Sequence, residues 1–252
     1  MLKLYQFEAC PYCEKVRLLL DYQQRPYEKV DVTPGWGQWE LWQKSGQTQV
    51  PVLQDGDELI PDSTAIALYL DATCTDRPLL PTAPEQRGLC FALEDWADTA
   101  LIPNGRTVTL AALVQHPNFR LAALPETTPD WAKAMVGAWP GELASLLSSS
   151  LGIVRPAPVK SAHLALQQAL QALCLMLEQQ AYLLGEQPTL ADFAVAGASM
   201  MLKVPESQYV NLPAGLCDRG IPGLADDVNY QPFFDWRDRL YKDYRQPRDG
   251  IE

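Results

Sequence analysis

The chain begins with alternating apolar and polar residues and then changes to helical spacing. Residues 2–7, LKLYQF, alternate as a short strand does, and residues 27–32, YEKVDV, alternate again. Between them the apolar residues of 16–20 recur at the i, i+3, i+4 spacing of one helix face. Pro11 precedes this face and suits a first helical turn, where its missing N–H is no loss. The pattern predicts a strand, a helix and a second strand.

The residues that follow predict a second helix, a hairpin and a third helix. Residues 36–45, WGQWELWQKS, suit an irregular helix with three tryptophans. The segments VPVLQ and DELI flank Asp55–Gly56, a dipeptide typical of a hairpin turn. PDSTAIALYLDATC then predicts a helix with Asp62 or Ser63 as its N-cap. The order β-α-β-α-β-β-α indicates a mixed sheet with helices packed on it.

Beyond a proline-rich segment the periodicity becomes almost entirely helical. Residues 74–86, CTDRPLLPTAPEQ, contain three prolines and show no period, so we predict a linker there. Thr189 and Asp192 have the spacing of a capping box. Helical spacing marks residues 86–102, 163–184, 190–204 and 233–244.

Two domains follow from this change of pattern. We predict a mixed strand–helix domain over residues 1–75 and an all-helical domain over residues 85–252. Proline and glycine are frequent in 116–162 and 205–232, and the first of these has room for short helices. The helical domain is therefore expected to carry insertions near 104–160 and 205–232.

Composition and charge narrow the class of protein. The 252 residues are 47% hydrophobic and 20% charged, which is typical of a globular chain. The net charge of −11 disfavours general binding to nucleic acid. No apolar run reaches the length of about 20 residues that a membrane span needs. No secretion signal stands at the N-terminus and the six cysteines are sparse, so we expect a cytoplasmic protein.

The sequence FEACPYCEKV places two thiols, Cys10 and Cys13, where the first strand meets the first helix. A thiol is a nucleophile only as the thiolate, and a helix start lowers the pKa of a cysteine through the helix dipole and free N–H groups. Cys10 lies ahead of the helix and suits the attacking role. Cys13 lies one turn into the helix and suits the resolving role.

Two other hypotheses for the cysteine pair remain open at this stage. A metal site needs further ligands, but the chain has only two histidines, His116 and His163, and no second C-x-x-C. We therefore expect no metal. Two inert core cysteines are the other alternative, and the strand–CPYC–helix context makes that alternative less favoured.

Two further segments suggest a small-molecule site. Pro51 opens a strand in QVPVL, where spacing alone makes a trans peptide bond the default. Asp62 and Ser63 open a helix, where N–H groups and a hydroxyl suit a carboxylate and the Asp62 side chain suits an ammonium. Plain helix capping explains the same pair, and taken alone it is the stronger interpretation.

Together these segments resemble the glutathione transferase superfamily, an α/β thioredoxin-like domain joined to an all-α domain. The resemblance covers residues 1–103 and 182–196. CPYC is similar to the glutaredoxin motif, and the pattern resembles the two-domain bacterial glutaredoxins and then the omega-type transferases. ALEDWADTALIP and YLLGEQPTLADF resemble the first helix and the capped core helix of the helical domain.

The resemblance implies a glutathione site, with glutathione as cosubstrate and no metal. It implies that Cys10 attacks, that Val50 offers its backbone to the cysteinyl part of glutathione, and that Pro51 is cis. It further implies that Asp62 and Ser63 hold the γ-glutamyl end. Pro11 and Tyr12 of the motif are expected at the same site. The implied partner is a small-molecule or protein thiol or disulfide, and a homodimer is left open.

The sequence departs from the family pattern in the residues that would hold the glycine carboxylate of glutathione. The family usually places a basic residue near the motif or on the second helix, but Glu8 and Ala9 precede the motif and no cation comes before Lys44 in the second helix. The tryptophans at 36, 39 and 42 suit either packing or a substrate shelf. The insertion near 104–160 lies where the family builds its second-substrate pocket. The resemblance therefore does not give the identity of the second substrate.

Three functions of different classes fit these features. The leading hypothesis is a glutathione-dependent thiol–disulfide oxidoreductase or thiol transferase acting through Cys10. The second is conjugation of glutathione to hydrophobic electrophiles, which is less favoured because a cysteine at this position tends to trap glutathione as a disulfide. The third is a non-catalytic protein of the same fold that binds a ligand or partner.

Overall fold

A computed structural model describes residues 1–33, 36–124, 127–138 and 156–248, without the side chains of Trp36 and Pro156. The predicted segment 104–160 therefore lies partly outside the described residues. The N-terminal part is a four-stranded sheet in the order β2-β1-β3-β4. Its strands are β1 (Leu2–Gln6), β2 (Tyr27–Asp31), β3 (Val52–Asp55) and β4 (Glu58–Pro61).

The sheet is mixed, as the sequence predicts. Strand β1 runs parallel to β2 and antiparallel to β3, and β3 and β4 form the predicted hairpin. Gly56 takes a φ of 60° in the hairpin turn, a conformation that glycine adopts without a steric cost. Three helices accompany the strands: α1 (Pro11–Tyr22), α2 (Trp36–Ser45) and α3 (Ser63–Thr73). The predicted thioredoxin-like topology is confirmed.

The remainder of the described chain is mainly helical, which confirms the second half of the fold class. One continuous helical stretch combines α4 (Pro84–Trp96), a π-helical turn (Ala97–Leu101) and α5 (Ile102–Gln115). The shorter helices α6 (Pro117–Ala122) and α7 (Asp130–Ala138) follow. The last three are α8 (Pro156–Met176), α9 (Leu190–Ser199) and α10 (Gln231–Tyr244). The limits of the two domains, residues 1–75 and 85–252, stay predictions.

Three of the predicted helices have other limits in the structure, and the helix predicted over 190–204 ends at Ser199. The first helix of this part was expected to end at residue 102, but the helical stretch continues to Gln115 through Pro103, which follows the π-helical turn Ala97–Leu101. The helix predicted over 163–184 instead spans Pro156–Met176. The chain then turns so that the Asp192 carboxylate accepts from the Leu183 amide at 2.7 Å. The apolar residues of 177–184 therefore lie in this turn and do not extend the helix.

Helix α1 lies at the centre of the molecule. It packs on α3 from the sheet domain and on α9 and α10 from the helical part. Every residue of α1 except Tyr12 is buried, including Glu14, Lys15, Arg17 and Asp21. No helix of the described residues is long and apolar enough to cross a membrane.

Candidate active site at the start of helix α1

Three predicted segments meet at one edge of the sheet. Cys10 follows the carboxyl end of β1, and the pairing of Tyr5 with Val52 places the start of β3 beside that end. Val52 in turn pairs with Pro61, so the start of α3 follows at the same edge. The topology thus brings the CPYC motif, the Val50–Pro51 segment and the Asp62–Ser63 segment together.

Cys10 is the N-cap residue of α1 and is partly exposed. Its amide donates to the Phe7 carbonyl at 3.0 Å, and its carbonyl accepts from the Glu14 amide at 3.0 Å. The hydrogen bond from the Cys13 thiol is the largest cause that lowers the pKa of Cys10 to about 7. Backbone N–H groups of Cys13 and Tyr12 and the positive charge of Arg17 lower it further against the effect of burial. The arrangement supplies a thiolate near neutral pH.

Cys13 has the opposite character. Its side chain is fully buried, and burial raises the pKa of the Cys13 thiol well above its usual value. The hydrogen bond to Cys10 and the negative charge on Cys10 raise the pKa of Cys13 further. One thiol is therefore accessible and acidic, and the other is hidden and protonated.

The Val50–Pro51 peptide bond is cis, as the resemblance implied against the spacing argument. Pro51 is buried and Val50 is half-buried. Among the described residues, neither the amide nor the carbonyl of Val50 has a hydrogen-bond partner. These two groups are available to an extended peptide lying along the edge of the sheet.

Asp62 is exposed and acts as the N-cap of α3. One carboxylate oxygen, Oδ1, accepts from the amides of Thr64 at 2.9 Å and Ala65 at 3.0 Å. The φ of Asp62 is 74°, in a region that residues other than glycine rarely adopt. Helix capping is thus part of what Asp62 does.

Ser63 is buried, and its hydroxyl faces the protein interior. It accepts from Lys15 Nζ at 3.3 Å and donates to Asp98 Oδ2 at 3.5 Å. The Ser63 amide has no partner among the described residues, whereas the next two amides of the helix are capped by Asp62. The donor that this position offers to an anion is therefore the backbone N–H.

A buried charged cluster lies behind this site, and the sequence analysis did not find it. The ammonium of Lys15 pairs with Glu94 and, at 2.8 Å, with Asp98 Oδ2, and it also donates to Thr64 Oγ1 at 3.4 Å. Asp98 lies in the π-helical turn, and burial raises the pKa of its carboxyl group above the usual range. The cluster joins α1 and α3 to the long helix of the helical part.

Tyr12 of the motif extends this connection. Its hydroxyl donates to the Asp98 carbonyl at 3.0 Å, and burial raises the pKa of the phenol. One signal for this cluster was present in the sequence EDWAD at 94–98. Its first and last residues, Glu94 and Asp98, are four residues apart and so lie on one face of a helix, where they can meet a cation such as Lys15. The pairing itself could not be predicted because the partners are far apart along the chain.

Trp39 and Trp42 do not enter the core. They are 52% and 47% exposed, and their rings stack at a centroid distance of 5.1 Å. The Trp36 side chain lies outside the described part. Lys44 Nζ lies 5.6 Å from the centroid of the Tyr5 ring, so the cation of α2 forms a cation–π contact with a residue of β1.

Family models match both parts of the chain. The glutathione S-transferase N-terminal domain matches residues 4–78, and the glutathione S-transferase C-terminal domain matches residues 153–213. Together the two matches cover more than half of the chain. The chain belongs to the glutathione S-transferase family.

Two relatives of this glutathione S-transferase family member match it over part of its length. Glutaredoxin 2 of Escherichia coli strain K12 is 31% identical over 159 residues, which is 61% of this chain and 67% of the relative. Prostaglandin E synthase 2 of Danio rerio is 44% identical over 66 residues, 26% of this chain. The chain spans only 17% of the length of that synthase.

Solved structures confirm the architecture. Beta-etherase LigF from Sphingobium sp. strain SYK-6 superposes with a TM-score of 0.67 at 18% identity, covering 95% of this chain and 94% of that chain. At this identity the likeness shows the fold alone. The family uses glutathione as cosubstrate.

Proposed function

We propose that this chain is a glutathione-dependent thiol–disulfide oxidoreductase that acts through Cys10. The observation that carries the proposal is the pairing of a partly exposed Cys10, with a pKa of about 7, and a fully buried Cys13 that donates to it. An enzyme that conjugates glutathione to an electrophile needs no second thiol. A disulfide reductase needs one thiol to attack and another to resolve.

The first step is attack by the Cys10 thiolate on the glutathionyl sulfur of a mixed disulfide. The substrate S–S bond breaks, a new bond joins Cys10 to glutathione, and the substrate thiolate leaves and takes a proton from water. A second glutathione thiolate then attacks the glutathionyl sulfur. Oxidised glutathione leaves and the Cys10 thiolate is restored, so glutathione is the reductant in this route.

A protein disulfide is reduced by a different second step. When Cys10 is bound in a mixed disulfide, it no longer carries a negative charge. Two of the causes that raise the pKa of Cys13, the charge on Cys10 and the hydrogen bond to it, are then weakened or lost. Cys13 can therefore ionise and attack Cys10, which releases the reduced substrate and leaves a Cys10–Cys13 disulfide for glutathione to reduce.

Glutathione is proposed to lie along the sheet edge. Its cysteinyl amide and carbonyl pair with the free backbone groups of Val50, beside the buried Pro51. Its γ-glutamyl carboxylate accepts from the Ser63 amide, and its ammonium faces the Asp62 carboxylate. Pro11 and Tyr12 form the adjoining wall at the start of α1.

The test uses Cys10→Ser and Cys13→Ser in two assays. Cys10→Ser should abolish reduction of a glutathione mixed disulfide. Cys13→Ser should keep that activity, because free glutathione can release the product, but should lose reduction of a protein disulfide. A matched control is Cys174→Ser, a half-buried thiol of α8 that lies outside the site.

The outcome also discriminates between the three functions. If Cys10→Ser keeps or gains conjugation of glutathione to an aryl halide, the chain is a conjugating transferase. If neither variant changes any activity, the two thiols are structural and the proposal is wrong.

A further inference from the structure

A second charged network lies on the opposite side of α1 from Lys15. Its centre is Glu14, a fully buried carboxylate shared by two buried guanidinium groups. Arg17 Nε lies 2.5 Å from Glu14 Oε2, and Arg245 Nε lies 3.0 Å from Glu14 Oε1. The two arginines hold the pKa of Glu14 at about 2 against the opposing effect of burial, which raises it.

Arg17 connects this network to the loop that carries Cys10. Its Nη2 donates to the Glu8 carbonyl at 2.9 Å, and its Nη1 lies 3.5 Å from Glu8 Oε2. Nη1 also donates to the Gln6 side chain. The guanidinium thus fixes the backbone two residues ahead of Cys10. Its positive charge also contributes to the lowered pKa of Cys10.

Arg245 connects the same network to the segment that follows α10. Its Nη1 pairs with Asp21 Oδ2 at 2.5 Å, and its Nη2 donates to the Tyr209 carbonyl at 3.2 Å. The Gln246 amide donates to the same Asp21 oxygen at 3.1 Å. Arg245 is 3% exposed, although it lies 231 residues from Glu14 along the chain.

The 205–232 segment holds the other end of the network. The Asn211 amide donates to Glu8 Oε1 at 2.8 Å, while Glu8 Oε2 accepts from Gln6 Nε2 at 2.9 Å. Glu8 is therefore fixed from three sides. The active-site loop rests on residues that come from the helical part of the chain.

The number of charges explains why Arg245 matters to Cys10. Three carboxylates, Glu8, Glu14 and Asp21, face two guanidinium groups, Arg17 and Arg245, and the ammonium of Lys29 interacts with Glu8 and Glu14. Without Arg245, Glu14 has only Arg17 as a guanidinium partner, and the electrostatic potential at the start of α1 becomes more negative. A more negative potential destabilises a thiolate.

We propose that Arg245 is a positioning residue for Cys10, acting through Glu14 and Arg17. The inference rests on the proposed function of Cys10 as the nucleophile. It assigns a role to the segment after α10, whose described residues 245–248 form no hydrogen bond or ion pair with the Cys10 thiol. The groups that lower the pKa of Cys10 are the thiol and amide of Cys13, the amide of Tyr12 and the charge of Arg17.

The test measures the pH dependence of Cys10 alkylation by iodoacetamide, with the labelled peptide identified by mass spectrometry. Arg245→Met should move the midpoint upward by about half a pH unit, which lowers the rate at pH 6 roughly threefold. Glu14→Gln removes a negative charge from the same network and should move the midpoint downward. A structural loosening alone does not predict opposite shifts.

Two further variants keep the test decisive. Arg245→Lys retains the charge and should restore the native midpoint, even if Arg245→Met folds poorly. Arg237→Met is the matched control, because Arg237 is 1% exposed on α10 and donates to the Lys203 carbonyl at 2.7 Å, outside the network. Its loss should lower stability and leave the midpoint unchanged.

An unchanged midpoint in Arg245→Met, or shifts of the same sign in Arg245→Met and Glu14→Gln, overturns the inference. Alkylation needs no glutathione, so this result is independent of the activity assays. A network-dependent midpoint with no disulfide reduction would reject the proposed function and leave the positioning role in place.

Discussion

At the scale of single residues, Asp62 is a helix cap and a proposed contact of glutathione, and the two roles can be tested separately. Its Oδ1 caps α3 through two backbone amides, and the side chain remains exposed at the edge where glutathione is proposed to bind. An N-cap needs only an acceptor, and asparagine supplies one as well as aspartate does. Recognition of an ammonium group needs the negative charge.

Asp62→Asn should therefore keep the cap and weaken glutathione binding. We expect the free energy of unfolding to change by less than about 0.5 kcal/mol, since Asn is an equally good cap and tolerates a positive φ. We expect the dissociation constant for glutathione, measured by calorimetry, to rise roughly tenfold because a charge-assisted hydrogen bond is lost.

Asp62→Ala serves as the comparison for that prediction. It removes both roles, so it should lose about 1 kcal/mol of stability in addition to the affinity. If Asp62→Asn binds glutathione as tightly as the native chain, the carboxylate is only a helix cap.

At the scale of helices and strands, the sequence predicted best where a local pattern determines the element. The alternation of β1 and β2 and the hairpin at Asp55–Gly56 were predicted correctly for this reason. The segment 177–184 was predicted as helix because apolar spacing continues through it. Its backbone is instead set by the Asp192 carboxylate, which a local pattern cannot show.

The contact between α1 and α9 depends on a glycine. A Cβ atom at Gly197 would lie 2.8 Å from the Lys15 amide nitrogen and 3.0 Å from its Cα, so backbone atoms and not a flexible side chain are in the way. The two helices can approach this closely only because residue 197 has no side chain.

Gly197→Ala should push α9 away from α1 and destabilise the protein. Overpacking of this kind costs about 1–3 kcal/mol, which exceeds the gain in helix propensity from alanine. Chemical denaturation of the full chain measures the loss.

Gly88→Ala is the matched control, because Gly88 lies within α4 and a methyl group added there would meet no atom within 4 Å. It should stabilise by roughly 0.5–1 kcal/mol through helix propensity alone. Equal effects of the two substitutions would show that the close approach at residue 197 is relaxed in solution.

At the scale of the whole molecule, the sheet part and the helical part are joined by buried charges on both sides of α1. The CPYC motif, the Pro51 segment and the cap of α3 were found from the sequence, since each is a local signal. The distant partners of Lys15 and Glu14 were not found. Glu94 and Asp98 lie 79 and 83 residues from Lys15 along the chain, and Arg245 lies 231 residues from Glu14. Only the tertiary structure brings them together.

The Lys15 cluster should therefore make stability depend on pH once its cation is removed. In Lys15→Met the Glu94 and Asp98 carboxylates, 5% and 15% exposed, lose their shared counter-ion, and the pKa of Asp98, which burial already raises, rises further above its unfolded value. Stability is then highest below about pH 4 and is lost as pH rises through the folded pKa of Asp98. We expect a loss of about 3–5 kcal/mol near neutral pH and a smaller loss near pH 5, measured by denaturation at each pH. Adding Glu94→Gln to Lys15→Met removes one uncompensated charge and should recover part of the neutral-pH loss. A loss that is the same at both pH values would mean that Lys15 joins the two parts through packing and not through charge.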